Sequence, residues 1–382
     1  MIPYGKQDIT QEDIEAVINV LKADFLTQGP EINKFESSFA NYVGSKYSIA
    51  VSNGTAALHL SAIALGVNNK TRVITSPISF SATANCIRYC DGEVFFADID
   101  PETYLIDINK VRELLEKYPK GYFQGIIPVD FAGRAVDMEA FRCLANEFNC
   151  WLIEDACHAP GGYFIDNEGI KQTCGNGRYA DLTVFSFHPV KHIACGEGGM
   201  ITTNSKELYT KILKLRTHGI TKNPIEMHRN DGGWYYEMQD LGYNYRMTDF
   251  QAALGNSQLK RAENGLNRRK SIAEIYNEEF SNNSNIIRHS GFDNGHAYHL
   301  FVIEVNNRKE LYDYLLKNNI ICQVHYIPIH LFPYYQELGF KQGDFPISEK
   351  YYENCLSIPI YPSLKSEQQK YILKLINDFF ES

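Results

Sequence analysis

No run of about twenty consecutive apolar residues, the length that crosses a hydrocarbon core, occurs in this sequence, so no membrane-spanning helix is expected. The first ten residues, MIPYGKQDIT, lack the basic flank and apolar centre of a secretory signal, and a cytoplasmic location is expected. Paired cysteines are missing too. The nine cysteines are irregularly scattered with no C-x-x-C among them, which fits reduced thiols and argues against a disulfide framework. Cys157 stands beside His158, but adjacent residues rarely ligate one ion, so no metal centre is expected. Nor is there a run of lysine and arginine resembling a nucleic-acid patch. With a net charge of −9, the chain carries no electrostatic footprint for nucleic acid, and Arg268-Arg269-Lys270 reads as the solvated face of a helix. Repeats and low-complexity tracts are absent, which excludes solenoids and biased linkers.

What is present is an ordinary globular composition, 44% hydrophobic and 22% charged, in a chain long enough for a main domain and a smaller one. Thr10 and Asp13 have capping-box spacing and open a helix with Ile14, Val17, Ile18 and Leu21 on one face. Short apolar runs at 48–52, 73–76, 94–98, 125–129, 151–154, 182–186 and 200–202 read as strands. Helical patterns such as 55–65 and 138–149 fall between them. That alternation predicts an α/β domain around a mainly parallel sheet. From Arg246 the texture changes. Thr248 is placed to cap a long polar helix running to about Phe280. Beyond it, strands at 300–305 and 321–325 and helices at 309–317 and 366–380 suggest a smaller α+β domain. The expected division is 1–255 and 256–382, with the N-terminal arm able to pack on the smaller part.

Four segments carry candidate chemistry. In Ser52-Asn53-Gly54-Thr55-Ala56-Ala57 a strand turns at glycine into a helix of small residues, so a phosphate can approach backbone N–H groups at the positive helix end. Alone it is equally a routine strand–helix turn. Trp151-Leu152-Ile153-Glu154-Asp155-Ala156-Cys157-His158 is an apolar strand ending in two acids, at the edge where open α/β sheets hold ligands. An aspartate there can pair with a protonated ring nitrogen or serve as a helix cap. His158 can face such a ring or be a satisfied buried histidine.

Phe185-Ser186-Phe187-His188-Pro189-Val190-Lys191, followed by Gly196-Glu197-Gly198-Gly199, sets a lysine among bulky groups after a buried strand. Desolvation there favours the neutral amine that Schiff-base chemistry needs, and Ser186 is close enough to reach a phosphate. The alternative is an exposed loop lysine. Gly242-Tyr243-Asn244-Tyr245-Arg246-Met247-Thr248-Asp249 offers an amide, a fixed cation and aromatics, or a mere helix entry.

In this order the four segments resemble the DegT/DnrJ/EryC1/StrS sugar aminotransferase family, of fold type I among pyridoxal-phosphate enzymes. The likeness runs from Asp24-Phe25-Leu26-Thr27-Gln28-Gly29-Pro30 with Phe35-Glu36 to Gln323-Val324-His325-Tyr326-Ile327-Pro328. It implies that Lys191 carries pyridoxal 5'-phosphate as a Schiff base and that Asp155 holds the pyridine nitrogen. Gly54, Thr55 and Ser186 would bind phosphate, Phe80 would stack on the ring, and His158 would lie beside it. Asn244 would reach the phosphate held by a neighbouring subunit, so a homodimer with shared sites is implied. A lysine at 191 separates the chain from relatives that carry histidine there and dehydrate the sugar. His158 departs from the glutamine of many members, and Cys157, His192 and Cys195 stand at variable positions.

Within the family, His188-Pro189-Val190-Lys191 and Val324-His325-Tyr326-Ile327-Pro328-Ile329, with Pro333-Tyr334-Tyr335, are most similar to the aminotransferases of pseudaminic acid (nonulosonate) biosynthesis. That implies L-glutamate as donor and a UDP-linked 4-keto-6-deoxy-N-acetylhexosamine as acceptor. The polar groups expected to meet the sugar nucleotide are Tyr4 and Lys6, the loop of Asp24, Phe25, Leu26 and Thr27, and Arg246, His325 and Tyr326. His325 and Tyr326 are equally readable as packing residues at the domain junction. Other readings are a dTDP- or GDP-linked keto sugar as acceptor, a non-catalytic cofactor-binding regulator, and a lyase or desulfurase using Cys195.

Overall fold

The computed structural model describes residues 1–381. Its centre is a seven-stranded sheet of β1 (Tyr47–Val51), β2 (Arg72–Thr75), β3 (Glu93–Phe96), β4 (Gly125–Ile127), β5 (Trp151–Asp155), β6 (Leu182–Ser186) and β7 (Gly199–Thr203). The spatial order is β1-β7-β6-β5-β4-β2-β3. All neighbours are parallel except β7, which runs antiparallel to β1 and β6. All seven apolar runs picked from the sequence are these strands, within a residue or two. They read as continuous apolar segments because helices cover both sheet faces. Register aligns the strand ends: Gly199 pairs with both Val51 and Ser186. The C-terminal ends of β1, β5 and β6 therefore share one sheet edge, and the turn at Gly54, Asp155 and Ser186 all emerge there.

A second apolar cluster gathers Ile2 with residues of helix Ala262–Phe280, strand Phe301–Glu304, helix Arg308–Lys317 and helix Ser366–Glu381. Its sheet is antiparallel, Arg288–His289 beside Phe301–Glu304 beside Cys355–Ile358. The N-terminal arm is tied to it by Ile2 N–H to Asn319 O (2.8 Å) and Ile360 N–H to Tyr4 O (3.0 Å).

Several expectations need correction. The segment 321–325 is no strand: Gln323 makes a lone bridge to Ser357, because Cys355–Ile358 already occupies that flank of Phe301–Glu304. The long helix after Thr248 is two helices, Asp249–Leu259 and Ala262–Phe280. The break comes where Arg261 turns its guanidinium to Asp8 (3.0 Å) and Asp13 (2.6 Å). Helix Gln11–Leu21 has its capping box, but it docks through buried Asp13 and Val20 and leaves Ile14, Ile18 and Leu21 exposed. Asp13 takes Gln258 Nε2 at 2.7 Å as well, so the docking contact is polar although the apolar residues share one face. Finally, Arg269 is not on a solvated face. It is buried and donates to the carbonyls of Ile360 (2.8 Å) and Tyr298 (3.1 Å).

Candidate active site around Lys191

At the shared sheet edge lies a cavity of about 720 Å³. Asn53, extended at φ −169°, caps helix Gly54–Ala64 by accepting Ala56 N–H at 2.8 Å. The N–H groups of Gly54 and Thr55 stay outside the helical ladder and line the cavity. A Cβ added at Gly54 would stand 3.1 Å from Ser186 Cβ and 3.4 Å from Cys157 Sγ. That close approach favours glycine, and the result is a cradle of backbone donors beside a hydroxyl, which fits a phosphate.

Asp155 ends β5 fully inside. Its Oδ2 accepts Thr83 Oγ1 (2.7 Å) and its Oδ1 accepts Cys157 N–H (3.2 Å), while Thr83 meets Ser79 Oγ at 2.7 Å. Two donors hold the carboxylate without an ion pair, leaving it oriented for a cationic partner. Behind it, Glu154 faces the opposite way with Asp130 and Cys174, ligand atoms of all three within 4.8 Å of one another. Burial raises both carboxyls, Asp130 well above the usual range, which describes a cluster holding protons.

Lys191 follows β6 in a turn closed by its own N–H to His188 O (2.9 Å). Desolvation pushes its amine down to about 8, opposed by Cys157 and Asp155 and assisted by Arg269. Nζ meets His299 Nε2 at 3.4 Å. His158 accepts Ala132 N–H on Nδ1 (3.2 Å), so its proton sits on Nε2, 3.2 Å from Tyr326 Oη. Its pKa falls well below the ordinary histidine value, mainly through burial. His325 is held by Ser357 Oγ (2.9 Å), and burial lowers it to about 3.

Of the residues singled out in the sequence, Tyr4, Gly54, Thr55, Phe80, Asp155, His158, Ser186, Lys191, His325 and Tyr326 all line this one cavity. Phe80 stands at its mouth, 59% exposed. The others are not brought in. Lys6 is exposed on the arm, and Asp24 and Phe25 border a separate groove of about 690 Å³ beside helix Gln11–Leu21. Leu26 accepts Asp249 N–H and Thr27 bridges Thr248. Asn244 is exposed and accepts Arg246 Nε at 3.0 Å. His325 and Arg246 therefore do not face one diphosphate within this chain.

Residues not anticipated include the Asp155 supports Ser79 and Thr83, and Tyr89, Tyr245 and His299 in the lining. Serine and threonine clustering at 76–83 was a signal for the first pair. Nothing local pointed to His299, 108 residues from Lys191. Cys195 is buried, with its sulfur where a Cβ on Gly255 would come within 2.9 Å, so it packs away from the cavity and offers no nucleophile there.

Residues 7–377 match the model of the DegT/DnrJ/EryC1/StrS aminotransferase family. The chain is 38% identical to the spore coat polysaccharide biosynthesis protein SpsC of Bacillus subtilis, over 99% of this chain and 96% of that one. It is 36% identical to the UDP-4-amino-4,6-dideoxy-N-acetyl-beta-L-altrosamine transaminase of Campylobacter jejuni, over 97% and 96%. Among solved structures it resembles Helicobacter pylori PseC, an aminotransferase involved in the biosynthesis of pseudoaminic acid, with TM-score 0.88, 29% identity and coverage of 100% and 99%. The fold is that of the fold type I aminotransferases, and the chain belongs to the DegT/DnrJ/EryC1/StrS family of pyridoxal-phosphate-dependent nucleotide-sugar aminotransferases.

Proposed function

We propose that this enzyme moves the amino group of L-glutamate to C4 of a UDP-linked 4-keto-6-deoxy-N-acetylhexosamine, a step of pseudaminic acid biosynthesis. The observation that carries the chemistry is the lowered amine of Lys191 beside Asp155 and the Gly54 cradle in one cavity. Bound there, pyridoxal phosphate supplies an electron sink that takes the amino group from one substrate and gives it to the other. Lys191 holds the cofactor and, once released, carries the proton at the reacting carbon, for which an amine near neutrality is suited. Asp155 keeps the ring nitrogen protonated. Gly54, Thr55 and Ser186 anchor the phosphate, and Phe80, His158 and Tyr326 bound the ring.

Asn244 and Arg246 act in the site of a second copy. In support, both lie outside their own chain's cavity, and Asn244 is exposed on the segment after a hairpin with apolar side chains outward. The acceptor is tested by product analysis with glutamate and a panel of UDP-N-acetyl and dTDP- or GDP-linked 4-keto-6-deoxy sugars. A site that hydrogen-bonds the N-acetyl group should reject sugars lacking it, since its donors would be left unpaired. Equal or better use of a dTDP or GDP sugar would move the substrate and leave the reaction standing. No turnover with any sugar would favour a regulator that merely binds the cofactor.

A further inference from the structure

His299 reaches Lys191 by an unusual route. It sits in 296–300, the segment entering strand Phe301–Glu304, and its neighbour Tyr298 adopts φ 50°, a left-handed conformation uncommon for a bulky aromatic residue. That backbone is held on every side. Tyr298 N–H donates to His296 Nδ1 (2.8 Å), and its hydroxyl accepts Asp293 N–H (2.7 Å) and donates to Gly291 O (3.0 Å). Ala297 N–H and Leu300 N–H bond to Gly133 O (2.7 Å) and Ala132 O (3.1 Å), on the loop whose Ala132 N–H orients His158. Gly133, at φ +102°, has no room for a side chain: a Cβ would come 2.9 Å from Tyr298 N and 3.0 Å from His299 N.

Behind the segment lies Arg269, 1% exposed and bonded to backbone carbonyls, with no carboxylate partner among the described residues. One of those carbonyls is that of His299, at 3.4 Å. A buried guanidinium without a counter-ion is costly, and backbone strain of this kind persists only where the surroundings over-determine it. Both converge on the ring that faces Nζ at 3.4 Å and lies 4.4 Å from the His158 ring, tilted to it by 41°.

We propose that His299 is a positioning residue for Lys191, its Nε2 accepting a hydrogen bond from the amine so that the lone pair points into the cavity, with Arg269 fixing the segment behind it. An ammonium is a donor only, so facing it Nε2 is bare and the ring proton sits on Nδ1, a buried atom with no hydrogen-bond partner among the described residues. The neutral amine donates one N–H to the same atom and keeps its lone pair free. The bond thus serves both charge states. Burial, then the neighbouring Lys191, His158, His192 and Arg269 charges, keep His299 well below the ordinary histidine value, so it orients the amine without taking its proton.

This inference rests on the proposed role of Lys191 as cofactor lysine. The test adds pyridoxal phosphate to cofactor-free protein and follows covalent attachment by absorbance, with borohydride trapping and peptide mass spectrometry at Lys191. His299→Phe keeps the volume and removes the acceptor; attachment should slow about tenfold, the size of one lost hydrogen bond, with inorganic phosphate competing as before. His299→Gln returns an acceptor oxygen and should recover most of the rate. If His299→Phe does not fold, His299→Asn, whose shorter amide falls short of Nζ, is compared with His299→Gln instead. Attachment at the wild-type rate in His299→Phe, or a glutamine variant no better than the phenylalanine or asparagine one, would overturn the assignment while leaving Lys191 in place. Wild-type protein that never traps cofactor at Lys191 would overturn both.

Discussion

At the floor of the cavity, Asp155, His158, His299 and His325 are buried and each is held by a named donor or acceptor. The hairpin that pairs Ile220–Thr221 with Glu237–Met238 is ordered differently. Internally it is tied together, with Glu237 accepting His228 N–H (2.8 Å) and Tyr235 Oη (3.0 Å). Outwardly it shows Ile225 93% exposed and Trp234 76% exposed, with Tyr236, Met238 and Leu241 beside them. A structured element that exposes several large apolar side chains is a candidate interface. The floor's hydrogen bonds, by contrast, are all made within one chain. On the proposed reading, the cofactor phosphate and the sugar nucleotide also draw on Asn244 and Arg246, which face away from their own chain's cavity.

The sharpest way to break that contrast is at Lys191. Lys191→Ala should abolish transamination, a loss of about a thousandfold or more, because the covalent link and the proton carrier disappear together. Retained turnover would remove the floor's claim to the chemistry. Asp155→Asn should fold and still bind cofactor while losing roughly a hundredfold or more in rate, each ~1.4 kcal/mol being tenfold. The amide oxygen can keep Cys157 N–H, and the NH2 group in place of Oδ2 can donate to Thr83 Oγ1, whose own hydroxyl turns to Ser79. Normal turnover would demote Asp155 to a structural cap.

Next come the titrations. Lys191 lies at about 8 in the folded protein against 10.5 for an ordinary lysine. Between those values the unfolded chain holds a proton that the folded one has lost, so cofactor-free protein gains stability as pH rises through this window. The depression corresponds to about 3 kcal/mol. Lys191→Met should remove that gain, which urea unfolding of both proteins at pH 7.5 and pH 10 would measure; parallel curves would refute the buried-amine account.

The buried histidines act in the same direction at lower pH. His325 is neutral down to about 3 while its unfolded counterpart charges near 6.5, so its contribution is complete above about 6.5 and is lost on acidification below that. His158, His192 and His299 are also lowered. Stability should fall as pH drops below about 6.5, with about 1–2 kcal/mol of the loss at pH 5 from His325, and His325→Gln should flatten the slope by that share. An unchanged slope would mean that His325 is hydrated in solution.

What was legible in the sequence divides along the same line. All seven sheet strands announced themselves as mainly apolar runs, since burial on both faces favours apolar residues. Lys191, Asp155, Ser186 and Gly54 were legible because each lies at or just beyond a strand end. His299 was hidden because its approach depends on Tyr298 at φ 50° and on Arg269, a charged residue whose neighbours suggested a surface. Helix Gln11–Leu21 shows a different limit. Its apolar stripe is real but faces outward, and its docking rests on Asp13. Periodicity reports which residues share a face, not what that face meets.

The finest test asks whether Asn244 works in another subunit's site. An Asn244→Ala chain keeps Lys191, and a Lys191→Ala chain keeps Asn244; each alone should be nearly inactive. When the two are mixed, unfolded and reassembled, a two-fold dimer with shared sites has equivalent interfaces, so half of the random dimers pair one chain of each kind. In such a dimer the site containing Lys191 receives an intact Asn244 across the interface, and the other site lacks both. One good site in two, in half of the dimers, amounts to about a quarter of wild-type activity. Adding Trp234→Ser to both chains removes the largest apolar side chain of the exposed hairpin and should lower the recovered activity at dilute protein, where association limits it. Recovery near zero, with both chains shown to bind cofactor, would place Asn244 in its own chain's service. A monomer with full activity at working concentration would dissolve the division between floor and hairpin altogether.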